Sequence, residues 1–277
     1  CSGSGCTVID GQSVYDINTT LTYTAVASEG RSLTIDGFDS DTRIFDGGMS
    51  VPILRIDTRP ATDDFSAEVI VYGLTLAQGN AVGSINVGGA LAIFVNTAIV
   101  QVRGSVFAAN EADDDGGALY IRAEGANEFP IRIDDVTFDS NTARGVTPDG
   151  GGGNGGSAYI SASSFVNVEV YDVDFFVSSA AGKGGCFVIE GLDPADIVFR
   201  SITAANLYDT LFDGCVAGTD GGGAFIAASN VEIDRTGIVR SDAAGGNGGG
   251  LHVEDGWSNF FMVNSGFAGN VADADGG

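Results

Sequence analysis

Positive charge is what this sequence most lacks. Its 277 residues hold 12 Lys and Arg against 37 Asp and Glu, a net charge of −25, and Lys183 is the only lysine. A body this anionic repels phosphate backbones and anionic lipid surfaces, which argues against nucleic acid as a partner. No apolar run reaches the roughly 18 residues that a membrane-spanning helix needs, so no transmembrane segment is expected. Sustained helical periodicity is absent as well, which leaves a β architecture. The sole histidine, His252, has no second His or Cys at ligand spacing, so the cysteines do not form a zinc site. The run from Gly150 to Gly156 lacks the Lys-Ser/Thr ending of a phosphate loop, and nucleotide binding is discounted. Rows of Thr for a flat ice-binding face are also missing. There is no initiator Met and no signal-peptide pattern, and a chain opening at Cys1 is expected to be a processed product or a fragment.

Glycine is abundant instead. Its 43 residues are about twice the usual share of roughly 7%, without collagen's triplet period. Hydrophobic residues make up 44% of the chain, enough for a sizeable core. Glycine pairs mark an internal repeat. Gly88-Gly89-Ala90-Leu91-Ala92-Ile93 returns as Gly116-Gly117-Ala118-Leu119-Tyr120-Ile121, as Gly155-Gly156-Ser157-Ala158-Tyr159-Ile160 and as Gly184-Gly185-Cys186-Phe187-Val188-Ile189. Gly222-Gly223-Ala224-Phe225-Ile226 and Gly248-Gly249-Gly250-Leu251-His252-Val253 continue the series, and Gly276-Gly277 opens one more. The starts lie 28, 39, 29, 38, 26 and 28 residues apart. A unit of about 28 residues, enlarged twice by loop, accounts for all six. Before the glycine pairs comes Phe-x-x-Asn, at Phe107 to Asn110, Phe138 to Asn141 and Phe267 to Asn270, with weaker copies at Phe175/Ser178, Phe212/Cys215 and Ile238/Ser241.

Two short strands per unit bury no apolar face alone, but stacked coils bury a continuous one. The expected fold is therefore all-β, a right-handed parallel β-helix, a solenoid with coils of about 28 residues and Gly-rich turns. Left-handed backbone angles are expected at the repeated Asn, whose side chains form a ladder. Residues 1–80 are expected to form irregular first coils and residues 81–277 the regular ones, in one continuous solenoid. Short strands at 7–11, 32–37 and 43–47 and a loop from Pro60 to Asp64 belong to the first part. Because Gly276-Gly277 begins a repeat, the chain is expected to continue beyond it or to be covered there by a partner.

These repeats resemble those of polymorphic outer-membrane proteins and of the bacterial β-helix surface proteins called choice-of-anchor proteins, over about residues 30 to 277. Ser32-Leu33-Thr34-Ile35-Asp36-Gly37 followed by Gly73-Leu74-Thr75-Leu76 matches how such domains open. The resemblance implies a β-helix of a secreted or cell-surface protein and leaves its activity open.

The cysteines Cys1, Cys6, Cys186 and Cys215 suit two disulfides and an oxidising compartment. Three pairings are possible, and Cys1–Cys6 with Cys186–Cys215 is the expected set. Asp113, Asp114 and Asp115 form the densest acidic turn, with Asp273 and Asp275 at the equivalent turn of another unit. They read either as a solvated turn or as a calcium site, since oxygen ligands on a tight loop suit Ca2+. His252 and Lys183 read as surface residues, and Arg103, Arg122 and Arg132 as partners of neighbouring carboxylates. Tyr120, Tyr159, Trp257, Phe260 and Phe261 are candidates for an aromatic stripe that stacks on sugars. The long turns at 144–155 and 190–206 have no assigned role.

The leading expectation is a non-enzymatic extracellular module, structural or adhesive, that associates with itself or flanking domains by end-to-end stacking. One alternative is a polysaccharide lyase or glycoside hydrolase acting on acidic polysaccharide. Another is a calcium-stabilised module that binds glycans.

Overall fold

A computed structural model of the chain describes residues 14–24, 32–37, 44–59, 67–83, 86–96, 98–126, 130–146, 152–164, 166–191, 202–254 and 259–276. Its strands lie in three parallel sheets of eight, fourteen and seven strands. The expected parallel β-helix is the architecture that forms. Strands after the glycine pairs build the first sheet, from Leu21–Thr24 through Leu91–Val95, Leu119–Ala126, Ala158–Ser164 and Phe187–Gly191 to Leu251–Val253. Long alternating strands such as Ala98–Ala108, Ile131–Asp139 and Val166–Phe176 build the second. The third consists of two-residue strands, among them Glu111–Ala112, Thr142–Ala143 and Ser179–Ala180. Two strands per unit were expected, and the third is a correction. Alternation becomes legible only over about four residues, so a two-residue strand leaves no trace in the pattern.

Phe-x-x-Asn places its Phe on the axis. Phe107, Phe138, Phe175 and Phe212 are each 0% exposed and stack ring on ring at 4.9, 4.9 and 4.7 Å. Leu76 extends the row at one end and Ile238 at the other. Burying each ring contributes about 1.5–3 kcal/mol, and each stacked pair about 1 kcal/mol more.

The polar member of the motif turns the corner. Backbone N–H of Gly79 donates to Asn110 Oδ1 at 2.8 Å, and both N–H and Nδ2 of Asn110 donate to Asn141 Oδ1 at 3.0 Å. Asn141 N–H donates in turn to Ser178 Oγ at 3.1 Å. The ladder is as expected, but the left-handed angles are not on the Asn. They fall on the residue before it: Ala109 (φ 52°), Ser140 (55°), Val177 (46°) and Arg240 (51°). The Asn amide is committed to neighbouring coils, so the bend is made by the adjacent, outward residue.

At one coil the rung is covalent. Cys215 stands in the Asn row and bonds Cys186, with Cα atoms 5.4 Å apart. One coil earlier, at the same two places, Ser157 Oγ donates to Ser178 Oγ at 2.7 Å. Cys1 and Cys6 lie outside the described residues, as do the strand at 7–11, the loop from Pro60 to Asp64 and Trp257.

Each glycine of a pair has its own reason. Gly155 has φ 63°, where a side chain is strained. A Cβ on Gly156 would collide with the carbonyl oxygen of Gly185 in the next coil. The same φ requirement corrects the repeat alignment at the triple glycine. Gly221, at φ 71°, is the left-handed member, so the pair is Gly221-Gly222 and not Gly222-Gly223. That shift of one residue sets Phe225 opposite Val188 and Ala224 opposite Phe187, which moves Phe225 from the axis to the outer face.

Two predictions follow from the corner. Replacing Cys186 and Cys215 by Ser opens a link of sequence separation 29 and lowers stability by about 3.6 kcal/mol, read from denaturant unfolding. Val177 is β-branched, left-handed and 66% exposed. Val177→Gly relieves that strain and raises stability by about 1 kcal/mol in the same assay.

Candidate functional site on the outer face of the first sheet

Alternate residues of the first sheet point away from the axis and form two rows across the coils. One row runs Arg55, Ala92, Tyr120, Tyr159, Val188, Phe225, His252. The next runs Asp57, Phe94, Arg122, Ser161, Glu190. Ala92, Phe94, Tyr120, Tyr159, Val188 and Phe225 pack as a second apolar cluster, separate from the axial core. The glycine turns fold against it, with Gly88 beside Tyr120 and Gly155 beside Tyr159. A Cβ at either glycine would press on those side chains.

Tyr120 and Tyr159 are 6% and 7% exposed and stack on one another at 5.4 Å. Their faces are therefore occupied by protein and are not open to stack on sugar. Phe260 and Phe261 are exposed, at 48% and 57%.

Charged groups gather around these rings. The guanidiniums of Arg55 and Arg59 lie 4.2 and 4.7 Å from the centre of Phe94. Asp57 takes a forked contact from Arg59, Nε to Oδ1 at 2.9 Å and Nη2 to Oδ2 at 2.7 Å. Burial pushes the Asp57 carboxyl up, but those bonds and the charge of Arg59 and Arg55 hold it below its ordinary value. Glu124 accepts from Arg59 Nη1 and pairs with Arg122 Nε, both at 2.9 Å. Further along, Tyr159 donates to Glu190 Oε1 at 2.7 Å and Lys183 Nζ donates to Glu190 Oε2 at 3.4 Å. The same Nζ lies 4.2 Å from the centre of Phe225, on which His252 stacks at 5.1 Å. His252 Nδ1 is 3.9 Å from Asp220 Oδ1. Burial, and then the Glu190 charge, push the Tyr159 phenol far up, so it stays protonated and donates its hydrogen bond to Glu190. Arg103 and Arg132 pair with Asp134 on the second sheet, at 3.0 and 3.4 Å, as the sequence suggested.

The acidic turns form a further ladder. Asp115 Oδ1 accepts from N–H and Nδ2 of Asn154 at 3.0 and 2.9 Å, and Asn154 Oδ1 accepts from Lys183 N–H at 2.8 Å. Asp220 Oδ1 accepts from N–H and Nδ2 of Asn247 at 2.8 and 3.1 Å, and Asn247 Oδ1 from Asp275 N–H at 3.3 Å. The neighbours of Asp115 turn elsewhere: Asp113 to Arg144 at 2.6 Å and Asp114 to Asn86 at 3.4 Å. Asp273 and Asp275 lie on an exposed turn five coils away, about 24 Å at the usual strand spacing. Among the described residues, no three His, Cys, Asp or Glu side chains are arranged to hold a metal ion. The five Asp considered for calcium are thus spread over two distant turns.

Sequence reasoning did not single out Glu190 and set Lys183 and His252 apart as lone surface residues. The ladder had a signal: Asx-Gly-Gly recurs at Asp115, Asn154, Asp220, Asn247 and Asp275. The gathering of Lys183, Glu190 and Tyr159 had none, because their approach depends on the offset between coils. Residues 147–151 of the turn at 144–155 and residues 192–201 of that at 190–206 lie outside the described residues. No family model, curated protein or solved structure matches the chain.

Asp115 makes this face pH-dependent. Burial, and then the Asp114 charge, raise its carboxyl from 3.8 to about 7. Between those values the folded chain holds a proton that the unfolded chain releases, so stability falls as pH rises through the window. Asp115→Asn keeps the acceptor, as Asn154 and Asn247 do, and removes the titration. Urea unfolding at pH 4.5 and pH 8 will show a smaller loss of stability for the variant, which gains up to about 4 kcal/mol at pH 8.

Proposed function

We propose that the chain is an extracellular structural or adhesive module of a larger surface protein or filament, acting without catalysis. The observation that carries this reading is the bonding of each coil to the next by side chains as well as backbone. The Asn110–Asn141–Ser178 corner, the Asp115–Asn154–Lys183 turns and the ring stack hold one continuous body stiff along its axis. The Cys186–Cys215 bond suits an oxidising compartment. Among the described residues, no helix is long and apolar enough to cross a membrane.

Stacking is the assembly mode this reading favours. Phe267 continues the ring row beyond Ile238 and is 48% exposed, and Phe260 continues the row of Val231 with the same exposure. The sequence resemblance to surface-anchored β-helix proteins points the same way.

Electron microscopy of the native material without added ligand tests the proposal. End-to-end fibres, or thin stalks on cells, are expected, and dispersed short rods would remove the filament. Compact particles that release reducing or unsaturated ends from acidic polysaccharide would replace it with the enzymatic alternative.

A further inference from the structure

One residue of the corner row goes against two preferences at once. Val177 has φ 46° and is 66% exposed. Among the described residues it is the only β-branched side chain with a positive φ. That conformation strains a β-branched residue, and exposure gives it no compensating burial. Its counterparts are Gln78, Ala109 and Ser140 in the coils before it and Gly214 and Arg240 in those after it. None of these is branched at Cβ.

Other apolar side chains surround Val177. Phe176, the residue before it, points outward and is half-buried. In the next coil Leu211 stands diagonal to Phe176, since Leu211 pairs with Asp174 and Asp213 with Phe176. Gly214 follows Asp213, and the atoms nearest to a Cβ placed on it would all belong to Val177, at 3.8 to 4.0 Å. The missing side chain leaves the Val177 methyls open. Two residues further, Val216 is 41% exposed in a third-sheet row whose preceding members are Thr142 and Ser179. The Cys186–Cys215 bond anchors this stretch between Gly214 and Val216. Phe176, Val177, Leu211 and Val216 thus form an exposed apolar patch on an anchored corner.

The border of the patch is acidic. Asp139 adjoins Phe176, Asp174 adjoins Leu211 and Asp242 adjoins Val216. Asp213 is paired with Arg240, while Asp139, Asp174 and Asp242 have no ion pair among the described residues. Burial, and then the Asp172 charge, raise the Asp174 carboxyl, so a cation beside it is favoured. On a chain of net charge −25, a second copy, a nucleic acid or an anionic lipid surface is repelled here. Resting on the adhesive reading above, we propose that this corner docks a segment of another protein whose apolar side chains are flanked by Lys or Arg. The apolar side chains cover the patch, and the basic ones meet Asp139, Asp174 and Asp242 at its rim. The anchored backbone keeps the ordering cost of docking low.

Calorimetric titration of the full chain tests this with three short peptides: alternating Lys and Leu, alternating Glu and Leu, and alternating Lys and Ser. The Lys-Leu peptide is expected to bind, and the other two at least about tenfold more weakly. Val177→Gly, expected above to gain stability, weakens Lys-Leu binding about tenfold by removing an apolar contact. Val216→Thr keeps the branched shape and weakens binding too, which separates lost contact from a loosened corner. Val146→Ser, at a side chain 62% exposed on another turn, leaves binding unchanged. No binding of Lys-Leu, equal binding of Lys-Ser, or undiminished binding by Val177→Gly and Val216→Thr would each overturn the proposal. Self-association in sedimentation that Val177→Gly abolishes would overturn it in favour of a second copy. Fibres or stalks in the microscope without Lys-Leu binding would remove this site and leave the structural reading. Specific Lys-Leu binding by particles that cleave acidic polysaccharide would keep the site and remove the non-catalytic reading.

Discussion

Each coil hydrogen-bonds through its backbone to the coil before and after it, and this contact constrains everything else in the molecule. It requires successive coils to share one shape. Where the path bends, the same angle must recur in every coil, so left-handed residues come in rows. Glycine fills the tightest of these rows because a Cβ at Gly156 has nowhere to go beside the Gly185 carbonyl. The high glycine content and the repeat length are both consequences of stacking, rather than signs of a flexible chain.

Side chains repeat this logic at a finer scale. A residue aligned with its counterparts above and below meets its own kind, which suits rings and amides and penalises like charges. The turn ladder respects that limit. Asp115 is followed by Asn154, and Asp220 by Asn247, so along these rows a carboxylate faces an amide in the adjoining coil. Asp115 is the exception in energy, since burial and Asp114 raise its carboxyl to about 7. Its neutral form is the comfortable one in the folded chain.

The outer face of the first sheet differs from the corner ladders in one respect. The ladders satisfy backbone groups, while Arg55 and Arg59 lie over Phe94, and Lys183 and His252 over Phe225, in a second apolar cluster outside the axial core. The cation–carboxylate couples over those rings give this face of an anionic chain mixed charge.

Much of this was legible in the order of residues. Glycine pairs and Phe-x-x-Asn established the coil, its length and its parallel stacking, because repeated backbone geometry demands repeated residue types. The same pattern singled out the Phe row and the Asn corner, and the even count of cysteines suggested the Cys186–Cys215 link. Two-residue strands escaped notice, since no periodicity is visible over two residues. Gly221 and Gly222 were misaligned by one, since three glycines in a row look alike until one of them must take φ 71°. Only the tertiary structure decided that Tyr159, Lys183 and Glu190 meet. Tyr159 and Glu190 lie 31 residues apart on neighbouring coils, whose offset, set by backbone hydrogen bonds, brings them within reach, while Lys183 and Glu190 lie seven residues apart on one coil.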